Sequence, residues 1–248
     1  MIRFATFNIG GGVPEKNALS QMSEPFNFIE YITSLITKNQ IDVVCFQEVL
    51  IGDEMNPSMS CMISEKCDLK YYKELMLSDS HIVHGRKMGV SILSKYPIVD
   101  SEVFMLENPN ITCISKSGSL YVSHEKGFLI TKVLTDEGEI CCVTGHCIPY
   151  HSFKRDSLEF IRIFSKLEDR LLDLLDSNSH VLIGADFNTT KLSVLMPKVF
   201  QRCKSIVSGP TRPNGRNDDY ILFDQGSSNG EFELIETCFD HYGCMGIY

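Results

Sequence analysis

Residues 181–188, V-L-I-G-A-D-F-N, set a carboxylate and a carboxamide two positions apart at the end of an apolar run. In extended backbone that spacing puts Asp186 and Asn188 on one face. Asp-x-Asn is also a common way to open a turn, and this segment alone leaves both readings open. Other apolar runs end in the same vocabulary. Asn8 closes T-F-N, Glu48 closes F-Q-E, His146 closes T-G-H, Asp219 opens D-Y-I-L-F, and Asp240-His241 stands near the C-terminus. Glu48 and Asp240 are hard oxygen donors of the kind that hold Mg2+ or Mn2+. A histidine beside a carboxylate can act as an acid, a base or a hydrogen-bond donor to phosphate. Taken singly, each has a plainer reading: Asn8 as a turn cap, Glu48 as a solvated strand end, His146 as a core histidine, Asp240-His241 as an exposed turn.

Strands must deliver these residues. Apolar runs predict strands over residues 4–9, 41–46, 90–93, 181–184 and 220–223, with a last full strand over 233–237. Gly184 and Ala185 are small enough for the backbone to leave the sheet there. Residues 128–134 and 140–144 flank Thr135-Asp136-Glu137-Gly138-Glu139, a hairpin signal. Phe28, Ile29, Ile32, Leu35 and Ile36 repeat at helical spacing. Asp156 and Glu159 resemble a capping box, and Leu158, Ile161, Phe164, Leu167, Leu171 and Leu174 continue that helix. A helix is also expected over 190–202, and an irregular polar loop over 52–70. Helices, strands and a hairpin without strict alternation suit two mixed sheets packed face to face with helices outside. No linker or repeat divides the 248 residues, so one domain over 1–248 is expected.

A hydrophobic content of 43% and a charged content of 22% are ordinary for a globular protein. No run reaches the length of a membrane span, and the N-terminus enters a strand pattern without a charged leader, so a cytoplasmic monomer is the expectation. The ten cysteines form no C-x-x-C pair; Cys45, Cys141, Cys142 and Cys203 lie in or beside apolar segments, and the spacing of Cys142, His146 and Cys147 fits no standard zinc site. A net charge of −9 opposes broad binding along a nucleic-acid backbone. Residues 187–217 carry no acid but hold Lys191, Lys198, Arg202, Lys204, Arg212 and Arg216, a segment that could draw in a phosphate locally.

The ordered set A-T-F-N (5–8), F-Q-E-V (46–49), G-V-S-I-L-S-K-Y-P-I (89–98), T-G-H (144–146), G-A-D-F-N (184–188), D-D-Y-I-L-F (218–223) and F-D-H-Y (239–242) resembles the endonuclease/exonuclease/phosphatase superfamily, also called DNase-I-like. Single motifs of three or four residues are weak; seven in family order are specific. The resemblance implies a four-layer α/β sandwich, two packed mixed β-sheets flanked by helices, with the site at one edge of both sheets. It implies Glu48 as the main ligand of Mg2+ (or Mn2+), with Asn8 and Asp240 contributing. Asp186 would orient or activate the attacking water and Asn188 would hold the phosphate or that water. His241, oriented by Asp219, would contact the scissile phosphate, with His146 on its other side.

The chain departs from the family pattern in places. Gly10 stands where some repair members carry an acid, F-D-H replaces S-D-H, no Trp is present, and the inositol-phosphatase signature is missing. Lys126 or Tyr121 would stand in for a mid-chain Arg or Tyr beside the phosphate. The segment 146–155 reads either as a helix-entry loop or as a substrate loop offering Tyr150, His151, Lys154 and Arg155; with Lys126 and Arg212, Tyr150 and Arg155 complete the expected substrate contacts. The leading expectation is a Mg2+-dependent phosphodiesterase acting on DNA or RNA, on a short or terminal stretch rather than long duplex. A phosphoesterase acting on an inositol phosphate or on sphingomyelin is the alternative. A non-catalytic binding module is the third, opposed by the presence of Glu48, Asp186, Asn188 and His241.

Overall fold

A computed structural model describes residues 1–20, 25–114, 118–205, 209–224 and 231–248. Its strands are β1 (Arg3–Asn8), β2 (Val43–Ile51), β3 (Tyr71–Asp79), β4 (Lys87–Ser94), β5 (Ile98–Met105), β6 (Thr112–Ile114), β7 (Leu120–Val122), β8 (Gly127–Thr135), β9 (Gly138–His146), β10 (Val181–Asp186), β11 (Cys203–Ser205), β12 (Asp219–Asp224), β13 (Phe232–Ile235) and β14 (Gly243–Ile247). The helices are α1 (Lys16–Leu19), α2 (Phe28–Lys38), α3 (Met59–Lys66), α4 (Ile161–Ser177), α5 (Leu192–Leu195) and α6 (Pro197–Arg202). One sheet runs β13-β14-β1-β2-β4-β3, the other β11-β12-β10-β9-β8-β5, and β6-β7 form a separate ribbon.

Three apolar clusters glue four layers. Ala5, Phe7, Val44 and Phe46 face α2 and α3. Val143, Val181, Ile183 and Leu222 face α4, α5 and α6. Phe4, Val43, Cys45, Cys142, Leu182 and Ile221 fill the seam between the sheets. The central strands are thus covered on both faces, which is why they read as unbroken apolar runs. The expected four-layer sandwich of two mixed sheets is the fold found.

Several local expectations need correction. Residues 59–66 form a helix inside the stretch expected to be a loop; Ser58 caps it by accepting from the Cys61 N–H, and its Cys, Met and Ser residues hid the apolar periodicity. The expected helix over 190–202 is two short ones, broken at Met196 before Pro197. The Asp156–Glu159 capping box exists but opens a 3-10 turn that leads into α4. Gly184 is not where the backbone leaves the sheet, since β10 runs on to Asp186. It is small because Phe4 and Thr6 of the facing sheet pack against it; a Cβ would lie 2.9 Å from the Phe4 ring. β14, which pairs with both β13 and β1, was not foreseen. All ten cysteines are free thiols, eight of them buried.

Candidate active site

The pairing register collects the site. In the second sheet Asp186 lies opposite His146 of β9 on one side and Asp219 of β12 on the other. Residues paired across a ladder share a face, and this row shares the seam-facing side with Leu182 and Ile221. In the first sheet Asn8 lies opposite Gln47, on the same seam-facing side as Phe4 and Cys45. The four strand ends therefore meet where the two sheets part. Beneath them the fully buried Gln47 carboxamide donates to Thr6 Oγ1 at 2.9 Å, Thr144 Oγ1 at 2.9 Å and the Gly184 carbonyl at 3.3 Å, tying one sheet to the other.

Glu48 would by alternation turn away from the seam. A bulge between Gln47 and Val49, with Glu48 at φ 56°, turns it into the mouth instead. Bulges next to active sites re-aim side chains in this way. The result is a cleft of about 480 Å³ lined by Glu48, Lys126, His146, Asp186, Asn188, Arg212, Asp240 and His241, among others.

Within it, Asp186 is almost fully buried. The Asn8 Nδ2 donates to its Oδ2 at 2.9 Å and the Asn188 backbone N–H to its Oδ1 at 2.8 Å. Asn188 takes the left-handed φ of 52°, which lets its Nδ2 reach the Cys147 carbonyl at 3.0 Å. His241 Nδ1 meets Asp219 Oδ2 at 2.8 Å, and that oxygen also accepts from Thr211 Oγ1 at 2.7 Å. His241 Nε2 then faces Asp186 Oδ2 at 3.9 Å. From the other side His146 Nε2 lies 3.5 Å from Asp186 Oδ2 and 3.8 Å from Glu48 Oε1, while Lys126 Nζ donates to His146 Nδ1 at 2.9 Å. Arg212 bridges Asp240 and Asp218.

Burial drives the Asp186 carboxyl up to about 7, and the nearby Asp219 charge adds to it. Burial opposes a charge on His241, but the Asp219 charge and hydrogen bond, with Asp186, outweigh it and raise the imidazole to about 10. His146 goes the other way: burial first, then the Lys126 and His241 charges, push it well below the usual histidine range. Asp186 thus lies between an imidazole whose charged form is favoured and one whose neutral form is favoured. Burial also lowers Lys126, against the pull of Glu48 and Asp186.

The donor set suits a hard divalent cation. Carboxylates of Glu48, Asp186 and Asp240 share the cleft, and the Asn8 carbonyl, which accepts from the Gly10 N–H at 3.1 Å, keeps a second lone pair. Asp186, Asp219 and His241 also bring one ligand atom each within 4.8 Å of one another, although the Asp219–His241 pair is already joined by a hydrogen bond.

Of the expected substrate contacts, Lys126 and Arg212 line the cleft, as do His151 and Tyr121. Tyr150 and Arg155 do not. Tyr150 is buried, stacked on Phe160 at 4.1 Å, and Arg155 pairs with Glu159 and lies over the Phe160 ring. The basic run is largely neutralised in the fold: Lys191 pairs with Asp156, Arg202 with Asp176, and Arg212 and Arg216 share Asp218. Thr211 was missed, and Gln47 and Asp218 stood inside the F-Q-E-V and D-D-Y-I-L-F motifs without an expected role, since each matters only through a partner on another strand or loop.

The chain belongs to the endonuclease/exonuclease/phosphatase family, whose model matches residues 5–229. Membership makes it a hydrolytic phosphoesterase by class. A sequence search of curated proteins found no match. Among solved structures, the human nocturnin catalytic domain with bound sulfate is similar at a TM-score of 0.65 and 13% identity, over 99% of this chain and 93% of that one. Truncated TDP2 from Caenorhabditis elegans gives 0.64 and 13%, covering 99% and 96%. A mannosyl-6-phosphatase from Bacteroides thetaiotaomicron gives 0.61 and 10%, covering 100% and 99%. At these identities the likeness is one of fold. Among the described residues no helix is long and apolar enough to cross a membrane.

Proposed function

We propose that this protein is a divalent-cation-dependent phosphodiesterase that hydrolyses DNA or RNA at a short or terminal stretch. The observation that carries the reading is the row His146–Asp186–Asp219 with His241 closing it: a carboxylate held by two N–H donors, with an imidazole nitrogen 3.5 Å away on one side and 3.9 Å on the other. Asp186 orients the attacking water and takes its proton. His241, ringed by the carboxylates of Asp219, Asp186 and Asp240, is the cationic donor to the phosphate oxygens. His146 is its counterpart on the other side: Lys126 Nζ lies 2.9 Å from Nδ1 and 3.4 Å from Nε2, and with Nδ1 accepting from the lysine, Nε2–H is the donor into the cleft. Donors placed where negative charge develops stabilise the transition state. Glu48, with Asn8 and Asp240, would hold Mg2+ or Mn2+, which when bound supplies Lewis-acid stabilisation of that charge. The family typically uses a divalent metal.

A substrate panel with Mg2+ or Mn2+ tests the reading: single-stranded and duplex DNA, abasic duplex, 5′-tyrosyl DNA, poly-A RNA, inositol phosphates and sphingomyelin. Hydrolysis of oligonucleotides is expected. Cleavage of the inositol phosphates or sphingomyelin alone would transfer the assignment to a small-molecule or lipid-headgroup phosphoesterase.

A further inference from the structure

One wall of the cleft is built of rings that the hydrolytic chemistry does not use. Phe153 is buried at its base, and Tyr121 stacks on it with centroids 4.8 Å apart and 16° between planes. His124 meets Tyr121 edge-on at 6.1 Å, and His81 lies parallel to His124 at 5.9 Å and 19°. All four line the same cleft as Asp186 and His241. They come from three places remote in sequence: the β3–β4 turn (His81), β7 and the connection after it (Tyr121 and His124), and the 3-10 turn Tyr150–Phe153.

The supports are rigid. The Ser80 hydroxyl accepts from the Ile82 and Val83 N–H groups and shapes the turn that carries His81. Asn108 bonds to both the carbonyl and the hydroxyl of Ser123, pinning the segment that carries Tyr121 and His124. Tyr121 and His124 are half-buried and His81 is exposed, so the ladder climbs from the core to solvent along the cleft wall. Burial lowers the His124 imidazole, with the neighbouring His81 and Lys126 charges adding to it. Phe153 belongs to the apolar cluster beneath α4 and Tyr121 packs against it, whereas His81 and His124 stand outside all three clusters and are not required to fill them.

We infer that the wall of His81, His124, Tyr121 and Phe153 is a stacking subsite for an unpaired nucleobase attached to the phosphate that is cut. This rests on the phosphodiesterase reading and narrows it. Flat ring faces take any base, and stacking on protein rings is tolerant of sequence. Bases still paired in a duplex keep both faces covered and cannot use it. The base can belong to a strand end or to a free nucleotide.

Calorimetric titration with adenosine 5′-monophosphate and with ribose 5-phosphate measures the base contribution without turnover. The wild-type protein is expected to bind the nucleotide about tenfold or more tightly than the sugar phosphate. Tyr121→Leu and His124→Leu should each close most of that gap, and Tyr121→Phe should keep it. Equal affinities in the wild type, or a gap untouched by either leucine variant, would overturn the subsite. A second arm compares hydrolysis of a thymidine pentamer with an abasic pentamer of the same length. The wild type should prefer the thymidine pentamer, and the leucine variants should lower the ratio of kcat/KM for the two. If neither pentamer is cut while nucleotide discrimination persists, the subsite stands and the phosphodiesterase reading falls. Equal cleavage of both pentamers overturns the subsite and leaves the phosphodiesterase reading standing. A pentamer bound much more tightly than the mononucleotide identifies a strand end as the source of the base, and equal binding identifies the free nucleotide.

Discussion

Asp186 is held before any substrate arrives, by Asn8 from the facing sheet and by the Asn188 backbone just beyond its own strand. Replacing it with alanine should lower kcat on an oligonucleotide by on the order of a thousandfold while the protein stays folded; an alanine variant with wild-type kcat would remove Asp186 from the chemistry. On the proposed reading the main work of Asp219 is to orient His241 through their hydrogen bond, so Asp219→Asn and His241→Asn should not add. A double-mutant cycle on kcat is expected to show the double variant close to the worse single one, whereas independent, multiplying losses would separate the pair. The residues readable from sequence were those that end apolar runs, because a strand end announces itself by composition. Gln47 and Thr211 were not readable, since their partners Thr144 and Asp219 reach them only through packing of distant strands. Tyr150 misled because a tyrosine in a short motif looks the same whether its ring faces a cleft or, as here, Phe160.

Elements place these residues by register and by one irregularity. A regular β2 would point Glu48 at the α2–α3 layer; the bulge at residues 47–49 sends it to the cleft. Alternation predicts a face but not a bulge, so the sequence pattern located Glu48 at a strand end while β2 in fact continues to Ile51. Stability away from the site depends on similar local devices. The Glu168 carboxylate of α4 accepts from the Lys198 and Val199 N–H groups at the start of α6, at 2.6 and 3.2 Å. Glu168→Ala leaves those donors unmet in a buried place and should cost about 1–3 kcal/mol in urea unfolding, with activity per folded molecule retained. A loss below a few tenths of a kcal/mol would show that water replaces the carboxylate. The boundaries of α3, α5 and α6 escaped sequence reading because short helices carry too few apolar repeats to show a period.

At the scale of the molecule, the cores and the acidic cleft are separable. Three apolar clusters hold the layers, so chelation with EDTA should end hydrolysis, reversibly with Mg2+, while the circular dichroism of the fold is kept. Hydrolysis that persists unchanged in EDTA would contradict a cation-dependent site. The layered architecture was legible from the mixture of element types. The completion of the first sheet was not, because Gly243-Cys244-Met245-Gly246 lacks the β-branched residues that mark strands. That late strand has a consequence for how the protein is made. Translation proceeds from β1 onward, yet β1 has an uncovered edge until β14 emerges to lie between it and β13. Asp240 and His241 leave the ribosome only just before it. A nascent chain, or one ended early by a stop codon, therefore exposes an unpaired strand edge and carries no assembled cleft. Ending the chain at residue 242 should abolish cooperative unfolding in a urea titration, and a transition as sharp as that of the full chain would show that β1 tolerates the open edge.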